Sequence, residues 1–405
     1  MGRRRILAAA LMLVLVSCTD ADPEGAATTP DPVSTGSSAP SQPVDPGRLA
    51  ILDSSGDIVV IAPDGSGREA ITDDAGVAAV YTQPIWSPDA TTLAWGQASE
   101  DGFAVGIHEL GTGDPETFAT TNLPFYMFWS PNGRSLGVLH NGTTGVEFRI
   151  VDLAEGAGET LDEAAPFYFS WSPEGDRVVT HAGPTRAETI RPDGERSELE
   201  PTAATYLAPQ WTTNGVFHVV DDELILEGDD GERVPIAEVS GLTMFVSNGQ
   251  GTKVALQAVG DGSGITAATE EFPTVATGSV VVVDVESGDT DVVSSDLALG
   301  FFWSPDGQAL LVLTASDTQV VPEVWTTAGQ TGYAPYSPPP TMLQDTFPFF
   351  PQYAQSVSFW SPDGSAFAYA GEVEEETGIW IQDLAEEAPR RVSDGVWVAW
   401  SPALG

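Results

Sequence analysis

"FFWSPDGQALLVL", residues 301–313, decides how this chain of 405 residues is read. Ser304-Pro305-Asp306-Gly307 carries the chemistry of a type I turn, with Pro presetting φ at the second position and Gly favoured at the fourth. The flanking runs end in Trp303 and resume at Leu310, and both are aromatic or aliphatic with little charge. Two such runs joined by a tight turn predict an antiparallel hairpin buried on both faces. Pro and Gly at its centre exclude a helix.

The stretch recurs. "IWSPDATTLAW" stands at 85–95, "FWSPNGRSLGVL" at 128–139, "SWSPEGDRVVT" at 170–180 and "FWSPDGSAFAYA" at 359–370. Trp86, Trp129, Trp171, Trp211, Trp303, Trp360 and Trp400 mark one register position, with Val246 in the same slot of the degenerate "FVSNGQGTKVAL". Successive spacings are 43, 42, 40, 35, 57, 57 and 40 residues. Third strands follow the hairpins, as in "DIVVIAPDG" (57–65) and "SVVVVDVESG" (279–288), and short polar fourth strands such as "REAIT" (68–72) follow those. Four strands recurring at about 40–45 residues predict an all-β fold, a β-propeller of eight blades. A ring of seven is the alternative if the Val246 unit is irregular. The chain ends on a first strand, "VWVAWSPALG" (396–405), and its folded part begins on a second strand, "RLAIL" (48–52). The two ends are therefore expected to share one blade, which removes the exposed sheet edges of an open ring.

These W-S-P-D/E/N-G hairpins, together with "APDGSGREAIT", resemble TolB-type (WD-like) propeller repeats of bacterial extracytoplasmic proteins over roughly residues 48–405. The resemblance implies a fold; function lives in sites grafted on folds. The helical domain that precedes the propeller in TolB has no counterpart here, so membership of that protein's assembly is not implied. The repeated Trp, Asp and Gly residues are expected to serve packing between blades and turn geometry.

The N-terminal "MGRRRILAAALMLVLVSC" combines a basic start with an apolar run too short for a permanent span, and reads as an export signal over 1–18. Its "LVSC" ending resembles a bacterial lipobox, which implies acylation of Cys18 and attachment to the membrane through lipid. Cys18 is the chain's one cysteine, so no internal disulfide can form. Residues 19–47, rich in Pro, Ser, Thr and acids, are expected to be a disordered tether. As a flexible coil it would reach roughly 30 Å. The expected setting is extracytoplasmic, with residues 48–405 as a monomeric propeller.

Acidic residues number 59 against 15 basic, a net charge of −44, and Lys253 is the single lysine. Nucleic-acid binding is excluded by the want of clustered cations. No nucleophile elbow, phosphate loop or zinc-binding helix motif occurs, and no cofactor is expected. His108, His140, His181 and His218 fall at discordant registers, which argues against a shared metal site. The acidic hairpin "DVESGDTD" (284–291) lacks the spacing of an EF-hand.

Two long spacings break the repeat: residues 260–278, between second and third strands of the sixth unit, and 331–355, before the last complete hairpin. By strand alternation both leave on one face, opposite the W-S-P turns. The second insertion brings Tyr333, Tyr336, Phe347, Phe349, Phe350 and Tyr353, a composition suited to a contact surface. The reading is a non-catalytic propeller that binds a protein or other ligand, such as a saccharide, through the face bearing the 260–278 and 331–355 insertions, with these aromatics as candidate contacts and residues 331–355 dispensable for folding. The insertion could instead plug the channel. A propeller enzyme with carboxylates at the channel mouth and an envelope assembly scaffold are the other readings.

Overall fold

The computed structural model describes residues 45–402, apart from 155, 201–207, 240–241, 260–264, 268–277 and 317. The segment 1–18 with Cys18, and most of the 19–47 tether, thus lie outside the described residues. Eight antiparallel sheets form the eight blades of one propeller, so the ring of seven is set aside. First strands of neighbouring blades touch at most of the blade junctions.

Blade 1 takes its inner strand from the C-terminus. Trp397–Trp400 pairs with Leu49–Leu52, in the register Leu49↔Trp400 to Leu52↔Trp397, and Ile58–Ile61 and Glu69–Ala70 complete the sheet. All four residues of each of the first three strands are buried, which is why neither terminal segment could stand alone. Blades 2, 3, 4 and 7 open with Ala79–Trp86, Pro124–Trp129, Phe167–Trp171 and Ala298–Trp303. Blade 8 opens with a single bridge, Trp360↔Phe367, before the strand Ala366–Val373.

The repeat motif shapes turns and joins neighbouring blades. In blade 7, Gly307 N–H donates to Ser304 C=O at 2.8 Å, and Ser304 Oγ accepts from Ala309 N–H at 2.9 Å. Gly307 has φ +67, and a Cβ there would meet Asn248 of the neighbouring blade within 2.9 Å, so the position demands Gly on both counts. Trp86, Trp171, Trp303 and Trp360 donate their indole N–H to a carbonyl of the preceding blade's inner strand, at Ala399, Phe128, Val246 and Phe302 respectively. Each is thus an apolar wedge with a fixed polar handle.

Those bonds correct one assignment. Gly251 N–H donates to Asn248 C=O as Gly307 does to Ser304, which puts Ser247, not Val246, in the tryptophan slot of blade 6. Val246 instead matches Phe302: each lies one residue before the slot and offers its carbonyl to the next blade's Trp. The misreading arose because an apolar residue was sought where the degenerate blade places Ser.

Of the 260–278 insertion, one described stretch pairs with a neighbouring blade. Ile265–Ala267 adds to the outer edge of blade 5 against Arg233–Val239, with Ala237↔Ala267 and Val239↔Ile265, and covers that edge. Nearby in the ring, Arg186 and Arg196 bind Asp162 and Glu188, tying the outer strand of blade 3 to blade 4, with Arg186–Asp162 at 2.6 Å and Arg196–Glu188 at 2.8 Å.

The longer insertion runs inward. Tyr336 and Ser337 bridge blades 7 and 8 through Val320 and Glu372. Gly371 admits this crossing, since a Cβ there would lie 2.6 Å from the Tyr336 ring. Three short helical turns follow, Met342–Thr346, Phe347–Phe349 and Phe350–Tyr353. The last contacts the inner strands of blades 4, 6 and 7, so the insertion fills the centre of the ring. The structure argues against the expectation that residues 331–355 are dispensable, because Tyr336, Met342, Phe347, Phe350 and Tyr353 pack into the core.

A cleft walled by the channel insertion

The insertion is held by bonds that reach across the ring. Gln352 pairs with Phe169 in the manner of a strand: its Oε1 accepts from Phe169 N–H at 3.0 Å and its Nε2 donates to Phe169 C=O at 2.7 Å. Tyr126 donates its hydroxyl to Gln352 C=O at 2.9 Å, and Tyr353 donates to Phe125 C=O at 2.5 Å. Gln83 Nε2 in turn donates to the Tyr353 hydroxyl at 3.0 Å. Burial is the main cause that raises the Tyr353 phenol above its ordinary pKa; the Gln83 bond works against this, and the Asp345 charge adds to it. Burial likewise raises Tyr126. Both phenols are neutral donors at physiological pH.

Of the six aromatics the sequence singled out, Tyr336, Phe347, Phe350 and Tyr353 are buried. Phe350 meets Phe301 edge-on at 4.6 Å, and Tyr336 lies 4.2 Å from Tyr369. Tyr333 is half-buried, its ring on Phe367 at 5.6 Å and its hydroxyl 3.3 Å from Leu384 C=O. Phe349 alone of the six is exposed, at 46 %. The free contact surface expected from this insertion is thus confined to one ring and its surroundings, because the other five pack on the blades.

Phe349 stands at the edge of a cleft of about 560 Å³ on the insertion face. Pro124, Phe125 and Tyr126 of blade 3 and Phe167 and Tyr168 of blade 4 form one side, at the ends of inner strands remote from the W-S-P turns. Gln83 enters from blade 2, where the inner strand is irregular between Thr82 and Ile85 and Gln83 takes φ +50. Asp345, Phe349, Gln352 and Tyr353 of the insertion supply the other side. Among the described residues, Asp345 is the one carboxylate in the lining, and no Lys or Arg lines the space.

On the turn face, two pockets of about 400 and 360 Å³ lie either side of the insertion's exit, and Ala354 and Gln355 line both. Their walls are the repeated Trp and Pro residues, including Trp86, Trp129, Trp303 and Trp360, whose positions the fold already requires. The cleft on the insertion face instead draws part of its wall, Gln83, Asp345, Phe349, Gln352 and Tyr353, from side chains foreign to the repeat. Gln83, Asp345 and Gln352 were not anticipated from the sequence; the one available signal was "YTQPIW" (81–86), a departure from the repeat ahead of Trp86.

Two histidines, His181 and His218, line one small void between blades 4 and 5. His140 Nε2 lies 3.6 Å from Glu147 and His218 Nε2 2.9 Å from Glu227, each within its own blade, and burial is the main cause that lowers the His218 pKa. Among the described residues no group of three or more His, Cys, Asp or Glu could hold a metal ion. Among them, too, no helix is long and apolar enough to cross a membrane.

No protein-family model matches the chain, and no curated protein matches its sequence. Solved structures do resemble it. TolB from Acinetobacter baumannii is 16 % identical with a TM-score of 0.39, over 71 % of this chain and 63 % of that one. This chain thus spans less than two thirds of that TolB. A functionally unknown protein from Desulfotomaculum acetoxidans is 9 % identical with a TM-score of 0.49, over 88 % and 99 %. An oligogalacturonate lyase in complex with manganese is 14 % identical with a TM-score of 0.45, over 86 % of each chain. At these identities the likenesses concern the fold alone.

Proposed function

We propose that this protein is a lipid-tethered binding propeller whose working site is the cleft beside Phe349. The observation that carries the reading is Phe349 itself: an exposed aromatic on an insertion whose other aromatics are buried or half-buried against the blades, placed over a cleft that the repeat does not need. Pockets of this size, mostly apolar with a few placed polar groups, are the usual form of a ligand site. Glycoside hydrolysis needs a pair of carboxylates about the scissile bond. The cleft lining offers Asp345 alone, which favours binding over catalysis. Cys18, acylated, would hold the propeller outside the cell on its 19–47 tether.

The test of the site is Phe349→Ala. An exposed side chain of this kind should change stability by no more than about 0.5 kcal/mol. The variant should melt as the wild type does yet fail to capture what the wild type retrieves from envelope extracts. Undiminished capture would move the working surface elsewhere. Anchoring is tested separately: Cys18→Ala should release the protein from membranes, and a variant still membrane-bound after a high-salt wash would overturn the lipid tether.

A further inference from the structure

We propose that the cleft takes an alkylammonium ligand, a proposal that rests on this cleft being the protein's binding site. The rings of Phe125, Tyr168 and Phe349 all line it, and aromatic rings attract organic cations through their quadrupole. Its single lining charge is the Asp345 carboxylate, which is exposed and whose field reaches the Tyr353 hydroxyl. No cationic side chain competes for that charge within the lining. The chain as a whole carries 59 acidic against 15 basic residues, so the surrounding field draws cations in and turns anions away.

Two amide groups of the lining are already engaged, which favours a ligand with few hydroxyls. The Gln352 amide is spent on both backbone groups of Phe169, and the Gln83 amide nitrogen on Tyr353. A saccharide needs several free donors and acceptors to replace its hydration. The cleft, at about 560 Å³, is roomier than an ammonium head, and Leu123 and Val146 offer apolar wall for a hydrocarbon remainder.

The experiment is calorimetric titration of the purified full chain with choline, with its uncharged isostere 3,3-dimethylbutan-1-ol, with phosphocholine and with maltose. Choline should bind at least tenfold more tightly than the isostere, and its affinity should fall as salt is raised. Phosphocholine, whose phosphate meets the acidic field, should bind more weakly than free choline. Phe349→Ala should weaken choline by roughly threefold to thirtyfold. Asp345→Asn should weaken choline and leave the isostere unchanged. Equal affinity for choline and the isostere, or for choline and phosphocholine, would overturn the proposal, as would choline binding indifferent to both substitutions. Maltose or isostere binding that depends on Phe349, without choline binding, would keep the cleft as the site and discard the cation. If no probe binds and Phe349→Ala leaves capture from extracts intact, the site falls with it.

Discussion

Replacing Gln352 by Leu keeps the volume of a side chain only 3 % exposed but strips Phe169 of both its partners. A buried backbone group left without a hydrogen bond costs about 1–3 kcal/mol, so the pair should cost about 2–6 kcal/mol. Unfolding entropy near 2.1 cal/mol/K per residue, over a domain of about 360 residues, converts this to a fall in Tm of roughly 3–8 °C. Gln352→Glu should behave differently with pH. At neutral pH it sets a carboxylate against the Phe169 carbonyl and should be the more destabilised of the two. In acid the protonated Glu can donate to that carbonyl again, so its deficit relative to wild type should shrink as pH falls. Gln355→Ala, whose amide bonds only within the insertion at Pro351 C=O, is the control and should change little. Calorimetric melts from pH 4 to 8 decide the matter. A Gln352→Leu protein melting within 1 °C of wild type would refute the claim that the insertion braces the ring.

Removing residues 396–405 should unfold the domain far beyond the loss of its ten residues, because Leu49–Leu52 would lose its inner partner; circular dichroism showing an unchanged melt would contradict the shared blade. Asp162 feels burial first, which opposes its charge, but bonds from Arg186 and Arg196 outweigh that and hold its pKa below the ordinary carboxylate value. Its stabilisation is therefore present above about pH 4, the unfolded value, and lost as pH falls through the lower folded one. Asp162→Asn should cost about 1–3 kcal/mol at pH 7 in urea melts, and the difference from wild type should close in acid. Ala90 holds φ +57 where the other turns place Gly, so Ala90→Gly should stabilise by up to about 1 kcal/mol, seen as a higher urea midpoint.

The propeller was legible because its information is local and repeated. Ser304-Pro305-Asp306-Gly307 specifies a turn whatever surrounds it, and seven tryptophans at one register state the blade period. Closure was legible too, as a first strand at one terminus and a second strand at the other. What escaped was set by contacts distant in sequence. Nothing in "TFPFFPQYAQ" distinguishes Phe349, exposed, from Phe350, fully buried against Phe301; the difference is which neighbour faces blade 7. Gln352 read as a polar loop residue because its partner, Phe169, lies 183 positions away. The Ser247 slot was missed because one degenerate blade had lost the side chain that marks the register.

The insertion also sets an order of assembly. Blades that touch only their neighbours can nucleate anywhere and zip around the ring. Residues 350–353, however, bond at separations of 183, 226, 228 and 270 positions, to partners on blades 2, 3 and 4. These bonds cannot form until those blades stand and the chain has come most of the way round. Long loops must close before such contacts repay their entropy, so insertion docking belongs late on the folding route. Until then the channel is hollow and the apolar inner strands of blades 4, 6 and 7 are uncovered. The chain therefore completes its binding cleft and seals its most aggregation-prone surface in the same final step.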